Sequence, residues 1–308
     1  MHLRHLATCF FLLTALALRP ATGETPTDNS MPNTTRNEGL LADAPAGTQF
    51  GVWIGRPNGD ALYTHHADAV MPTASSIKAA LLIELFAMHE EQLDTPPEGV
   101  SEIFTAREHP AFVHYSKRDR QESEELLTKM SVEQLGRQMI RVGENPNRVY
   151  NGAANVVIAM LGGPTQATAR VHERDDRFAG HTVNRYMLAD RNVTGDNTAT
   201  PESLAAVHSA LARREIKGLQ PETIERIRNV LLLDKDRSGT SHYFKGGSLG
   251  SDPVTYVRAG WWEGKRPTVV YAVMGAAIPD SNETVDAETL NTYVTKLEGR
   301  IRQQFFEE

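Results

Sequence analysis

The stretch Pro72-Thr73-Ala74-Ser75-Ser76-Ile77-Lys78-Ala79-Ala80-Leu81-Leu82-Ile83-Glu84-Leu85-Phe86-Ala87-Met88 is apolar almost all round. From Ile77 to Met88 only Lys78 and Glu84 carry charge, which predicts a buried helix rather than an amphipathic surface one. Ser75 and Lys78 stand three residues apart at its start and share a face. A cation in a first turn meets the positive end of the helix dipole, and burial further disfavours its charged form. Both effects push Lys78 towards a neutral amine able to take a proton from the Ser75 hydroxyl. A solvated structural lysine has no reason to stand there.

Strand signals flank this helix at a distance. Thr48 to Arg56 alternates Phe50, Val52 and Ile54, and Asn58-Gly59 then predicts a hairpin turn into Ala61-Leu62-Tyr63-Thr64. Helical patterns follow. Ser131 to Val142 has an apolar face, Ala153 to Leu161 reads as a short helix ended by Gly162-Gly163-Pro164, and Thr200-Pro201-Glu202 opens another. Strands return at Ser241–Lys245, Val254–Trp262 and Thr268–Met274, and a last helix runs from about Asp286 to Phe306. Strands at both ends with helices between predict an α/β (α+β) fold: an antiparallel sheet formed by both termini and flanked by helices, with an all-helical domain inserted. The expected division is a sheet domain of residues 46–66 with 220–308 and a helical domain of residues 67–219.

The start of the chain reads as a secretory signal over Met1–Gly23. His2, Arg4 and His5 precede an apolar run from Leu6 to Leu18, and Ala21-Thr22-Gly23 supplies a small-residue cleavage site. The run is too short to span a bilayer comfortably, so export without a stable membrane span is expected. A polar leader, residues 24–45, is expected to be disordered. The single cysteine, Cys9, lies in the signal, so the exported chain has no disulfide and relies on a sizeable core. Cleavage removes Arg4 and Arg19 and no acid, taking the formal charge of the 308-residue chain from −7 to −9. Acidic balance without a Lys/Arg block argues against a nucleic-acid partner. Metal-ligand spacings are absent, with the adjacent pair His65-His66 read as surface, and no Gly-rich phosphate loop occurs.

Two further segments give the serine–lysine pair its context. One is Tyr150-Asn151-Gly152-Ala153-Ala154-Asn155, running into an apolar helix that ends Gly-Gly-Pro; the other is Phe244-Lys245-Gly246-Gly247-Ser248 on a late strand. With these, the chain from about residue 48 onward resembles the class A β-lactamases and related penicillin-binding proteins, whose motifs are S-x-x-K, S-D-N and K-T-G. The resemblance implies that Ser75 is the nucleophile that forms an acyl-enzyme and that Lys78 is its proton acceptor. It also implies that Asn151 holds the substrate amide and fixes the lysine, the alternative being a helix cap. Lys245 would supply positive potential to a substrate carboxylate. Gly247 and Ser248 continue that strand, and the backbone amides of Ser75 and Ser248 would form an oxyanion hole.

Departures from the pattern are as informative. Val149 stands where the family has the S-D-N serine, after extra residues Gly143–Arg148, and Tyr150 is the candidate replacement hydroxyl. Gly246 replaces the K-T-G hydroxyl. The loop from His181 to Pro201 contains no glutamate to activate water; the position falls near Met187, and Asp190 is the nearest substitute, with an ion pair to Arg185 or Arg191 as its alternative role. Arg258 reads either as a carboxylate-binding cation or as a surface arginine, and Trp261 and Trp262 as packing residues. The expectation is an exported active-site-serine hydrolase, monomeric and without metal or cofactor, opening β-lactam or related amide bonds. A D-Ala-D-Ala carboxypeptidase, an esterase of the same fold, or a non-hydrolysing receptor for penicillins or cell-wall peptides are the alternatives. Acylation is better supported than hydrolysis.

Overall fold

The computed structural model describes residues 39–279 and 281–308. The expected signal, Cys9 and most of the leader lie outside the described residues. Where the leader ends, residues 39–46 are already folded into turns, and Leu40 is buried against the core. An apolar Leu-Leu pair at that point gives the chain something to bury, and the expected disorder does not extend to it.

Six strands form one antiparallel sheet: β1 (Thr48–Gly55), β2 (Ala61–His65), β5 (Leu232–Lys235), β6 (Ser241–Leu249), β7 (Thr255–Glu263) and β8 (Val269–Ala277). Their order across the sheet is β2-β1-β8-β7-β6-β5, so the N-terminal hairpin pairs with the last strand, as expected of a sheet built from both ends. β6 is longer than its β-branched and aromatic pattern suggested and carries the whole run Lys245 to Ser248. β8 is buried along nearly its full length because both faces of the sheet are covered. On one face, α10 (Ala287–Ile301) packs Leu290, Val294 and Leu297 with Val52, Ile54, Tyr271 and Val273. On the other, α8 (Pro201–Arg213) packs Leu204, Val207 and Leu211 with Ala259, Trp261, Ala272 and Met274. Helix α8 was expected in the helical domain; its apolar stripe instead lies on β7 and β8.

The remaining helices are α1 (Lys78–Met88), α2 (Val100–Thr105), α3 (Lys117–Leu127), α4 (Val132–Ile140), α5 (Asn147–Met160), α6 (Pro164–Arg174), α7 (Arg191–Thr194) and α9 (Pro221–Leu231). Helix α1 is their hub: Leu81, Leu82, Ile83, Leu85 and Phe86 are each at most 1% exposed. Its one acid, Glu84, is held by both oxygens against Arg174 at 2.8 and 2.9 Å. A two-stranded ribbon, β3 (Met71–Pro72) with β4 (Thr198–Ala199), pins the chain entering the Ser75 turn to the 181–200 loop. No helix among the described residues is long and apolar enough to cross a membrane.

Candidate active site

Ser75 does not lie in an α-helix. Residues Ala74–Ile77 form a 3-10 turn, and α1 begins at Lys78. In a 3-10 turn side chains at i and i+3 eclipse, so the tighter winding stacks Lys78 over Ser75 more directly than an α-turn would. Ala74 enters the turn at a positive φ of 47°, an uncommon conformation for a residue with a Cβ and one often found where a reactive side chain is presented. Thr73 anchors the approach: its N–H and its hydroxyl both donate to Asn197 O, each at 2.9 Å.

Lys78 is fully buried. Burial and, second to it, the charge of Lys245 push its ammonium well below the ordinary lysine range. Two groups of α5 hold the amine. Lys78 Nζ donates to Asn151 Oδ1 at 2.9 Å and sits 3.3 Å above the centroid of the Tyr150 ring. The aromatic face favours any positive charge the amine acquires. Lys245, on β6 and 4% exposed, donates to the Tyr150 hydroxyl at 2.9 Å. Tyr150 is thus the link between the two lysines, with a ring face for one and a phenol for the other. Val149, by contrast, is fully buried in the core.

Asn151 is not a helix cap. Pro146 precedes the first turn and α5 starts at Asn147, which places Asn151 in the second turn. There its Nδ2 donates to Asn147 O and Oδ1, both at 3.0 Å, leaving Oδ1 to accept from Lys78. The helix is 14 residues long, starting six residues before the expected Ala153.

Strand β6 runs against the Ser75 turn with no room for a side chain at Gly247. A Cβ there would stand 2.4 Å from Ser75 N, 2.7 Å from Thr73 O and 2.8 Å from Ser76 N. This approach brings the strand's next residue, Ser248, to the mouth of the cleft that Ser75 also lines. At Gly246, which takes the place of the K-T-G hydroxyl, a Cβ would meet Phe244 Cζ at 2.5 Å. The Phe244 ring therefore fills the space a hydroxyl-bearing side chain would need.

The cleft has a volume of about 740 Å³ and collects Ser75, Tyr150, Asn151, Lys245, Gly247, Ser248 and Arg258. Arg258 is neither a surface arginine nor an unpaired cation. Its Nε donates to Glu298 Oε2 on α10 at 2.7 Å, and its guanidinium stacks over Phe244 at 4.5 Å. Two proposed site residues do not line this cleft: Lys78, which is fully buried, and Asp190. Asp190 is exposed and caps α7, accepting from Asn192 N at 2.9 Å. The carboxylate that pairs with Arg185, at 2.7 Å, is Asp196, which also lies 3.8 Å from Arg191. The ion-pair role considered for Asp190 belongs to its neighbour six residues on, because Asp190 begins the short helix and its side chain turns back to the helix N–H.

Met187 lines the cleft where a glutamate was sought, and its backbone is clamped. Asn155 Oδ1 accepts from Met187 N at 2.6 Å and Asn155 Nδ2 donates to Met187 O at 3.1 Å. Asn155 was visible in the N-x-A-A-N pattern but had no stated role; one helical turn past Asn151, it carries the 181–200 loop as Asn151 carries Lys78. Asn147 and Arg141 also line the cleft and were not anticipated, since they fall in or beside the segment read as an insertion. Trp261 and Trp262 do pack, stacked on Tyr243 at 4.3 Å and on Tyr271 at 4.2 Å. Among the described residues no cluster of His, Cys, Asp or Glu could hold a metal ion.

Comparison with known proteins follows the same lines. The profile of a family described as "Beta-lactamase enzyme family" matches residues 35–266. No curated protein sequence matches. The fold is similar to the β-lactamase of Sphaerobacter thermophilus, with 18% identity, a TM-score of 0.58, and 86% of this chain and 94% of that one covered. It is similar to the β-lactamase of Streptomyces albus G, with 18% identity, a TM-score of 0.57 and coverage of 86% and 98%. An ancestral class A β-lactamase gives 20% identity, a TM-score of 0.59 and coverage of 84% and 95%. The chain belongs to the beta-lactamase enzyme family, within the superfamily of β-lactamase-like and penicillin-binding serine hydrolases.

Proposed function

We propose that the protein is an exported acyl-transfer enzyme that opens β-lactams or cell-wall peptide amides through an acyl-enzyme on Ser75. The observation that carries this reading is the buried amine of Lys78, held by Asn151 and the Tyr150 ring one turn from Ser75. Lys78 takes the Ser75 proton as Oγ attacks the carbonyl carbon, and the Tyr150 ring face stabilises the ammonium that forms. The carbonyl oxygen, now an oxyanion, accepts from the N–H groups of Ser75 and Ser248. The C–N bond then breaks, and the Tyr150 phenol protonates the leaving nitrogen. Lys245, 2.9 Å from the phenol oxygen, balances the phenolate until the Lys78 proton returns it to neutrality. Lys245 biases the cleft towards an anionic substrate. The chain acts as a monomer, and export rests on the Met1–Gly23 pattern.

Deacylation is the weak half-reaction. Met187 stands in the cleft where a water-activating carboxylate is needed, and Asp190 is engaged as a helix cap. This favours, as a second reading, a receptor that traps its acyl group. Mixing with a chromogenic cephalosporin, followed by intact-mass measurement, separates the two. One adduct on the wild type, absent in Ser75→Ala, with a burst and little turnover is the expected result. An adduct that survives Ser75→Ala refutes the assignment of the nucleophile.

A further inference from the structure

Leu188 combines two unfavourable features. Its φ is +66°, a left-handed conformation rarely adopted by residues other than Gly, Asn and Asp. Its side chain is 50% exposed although apolar, and it lines the cleft. The backbone on either side is fixed. Before it, Met187 is clamped at both N and O by Asn155, and His114 Nε2 also reaches Met187 O at 2.9 Å. After it, Ala189 N donates to Tyr186 O at 3.2 Å and Ala189 O accepts from Arg185 Nη1 at 2.9 Å. A glycine would hold this turn with less strain, and the exposed leucine side chain is placed for a contact with a molecule in the cleft.

The mixed lining of the cleft suggests what that contact is. Ser75, Tyr150, Asn151 and Lys245 line it with polar groups. Val142, 75% exposed, and Leu233, 46% exposed, also line the cleft. Arg141 bonds to Leu232 O and so ties the two segments that carry Val142 and Leu233. A few convergent polar groups together with exposed apolar side chains is the usual form of a site for a small molecule with an apolar arm.

We infer that Leu188 is a specificity-determining residue that seats an alkyl or aryl arm of the acyl donor, so that the enzyme prefers donors with an extended apolar acyl group. This rests on Ser75 being the acylated residue. The test compares 4-nitrophenyl acetate with 4-nitrophenyl octanoate, following nitrophenolate release and the Ser75 adduct by mass, with Ser75→Ala as blank. Wild-type protein should acylate from the octanoate at least about tenfold faster than from the acetate, the scale of discrimination an apolar pocket provides. Leu188→Gly should collapse that ratio towards one without lowering the melting temperature, because glycine suits the left-handed backbone. Val193→Ala, exposed on the same loop but outside the cleft lining, should leave the ratio intact. Equal rates for both esters in the wild type, or an unchanged ratio in Leu188→Gly, would overturn the inference while leaving Ser75 acylation standing. If neither ester gives a Ser75 adduct, the acyl-transfer reading fails and this inference with it.

Discussion

Gly247→Ala is the sharpest perturbation available, because the added atom has one known destination. Its Cβ would fall 2.4 Å from Ser75 N, where ordinary contact begins at 3.4 Å. The atoms it meets are backbone, of Ser75, Thr73 and Ser76, so no side chain can swing aside. The strand or the 3-10 turn must therefore retreat by about 1 Å, a displacement that can cost about 10²-fold when it separates reacting groups. Loss of one oxyanion donor costs about 10²–10³-fold, and separating β6 from the turn pulls the two donor amides, those of Ser75 and Ser248, apart. Acylation of Ser75 should fall by roughly 10²–10³-fold in a pre-steady-state measurement with a chromogenic cephalosporin. Overpacking should destabilise the fold by about 1–3 kcal/mol, which a urea titration separates from the kinetic loss. Gly250→Ala is the control: nothing stands within 4 Å of a Cβ there, and acylation should be untouched. If Gly247→Ala acylates within a factor of about three of wild type, the amides of Ser75 and Ser248 are not the oxyanion hole.

Four further outcomes are expected. Lys78→Arg keeps a cation that cannot deprotonate, so acylation should fall by orders of magnitude in a folded protein; near-normal acylation by stopped flow would remove Lys78 as base. Tyr150→Phe keeps the ring under Lys78 but removes the partner of Lys245, so release of a poor amide leaving group should slow far more than release of nitrophenolate from an ester; equal slowing of both would place Tyr150 outside proton transfer. Deacylation should be slow in wild type and unchanged in Asp190→Asn, since general-base assistance is typically worth about 10²–10⁴-fold and the carboxylate that lines the cleft, Asp196, is tied to Arg185; a further loss of turnover in Asp190→Asn would restore Asp190 as a base. Burial holds the imidazoles of His181 at about 4 and of His208 and His242 at about 3, so these groups fold as neutral species. The unfolded chain, with ordinary histidines near 6.5, then binds more protons as the pH falls below that value. Stability should thus be full above about pH 7 and drop by about 2 kcal/mol per group by pH 5, continuing towards the folded pKa values. Urea unfolding at both pH values measures this, and His208→Met, which removes two nitrogens without partners among the described residues, should reduce the drop; a flat profile would refute it.

Much of this was legible along the chain because it depends on local pattern. The charge-poor run after Ser75 could only be a buried helix, and its first-turn lysine already implied a suppressed charge. Alternation in the first strand, the Asn58-Gly59 turn and the β-branched and aromatic runs near the C-terminus specified a sheet assembled from the termini, and Lys245-Gly246-Gly247-Ser248 fell on one of those late strands. These are statements about neighbours within a few residues, where backbone period decides which side chains share a face.

Tertiary structure decided what depends on phase and distance. Whether Val149 or Tyr150 faces the cleft follows from where α5 begins, and Pro146 starts it six residues earlier than its apolar pattern indicated. That start leaves Asn151 the partner of Lys78, the role expected of it, and not a cap. Arg258 reads as a free cation until Glu298, forty residues on, is brought against it by α10 packing on the sheet. The choice between Asp190 and Asp196 as partner of Arg185 is made by a single turn of helix at Arg191–Thr194, and the strain at Leu188 exists only because Asn155 and Arg185 fix the backbone on both sides. In each case the deciding contact joins separate elements, and the local sequence carries periodicity but not the direction in which a distant side chain arrives.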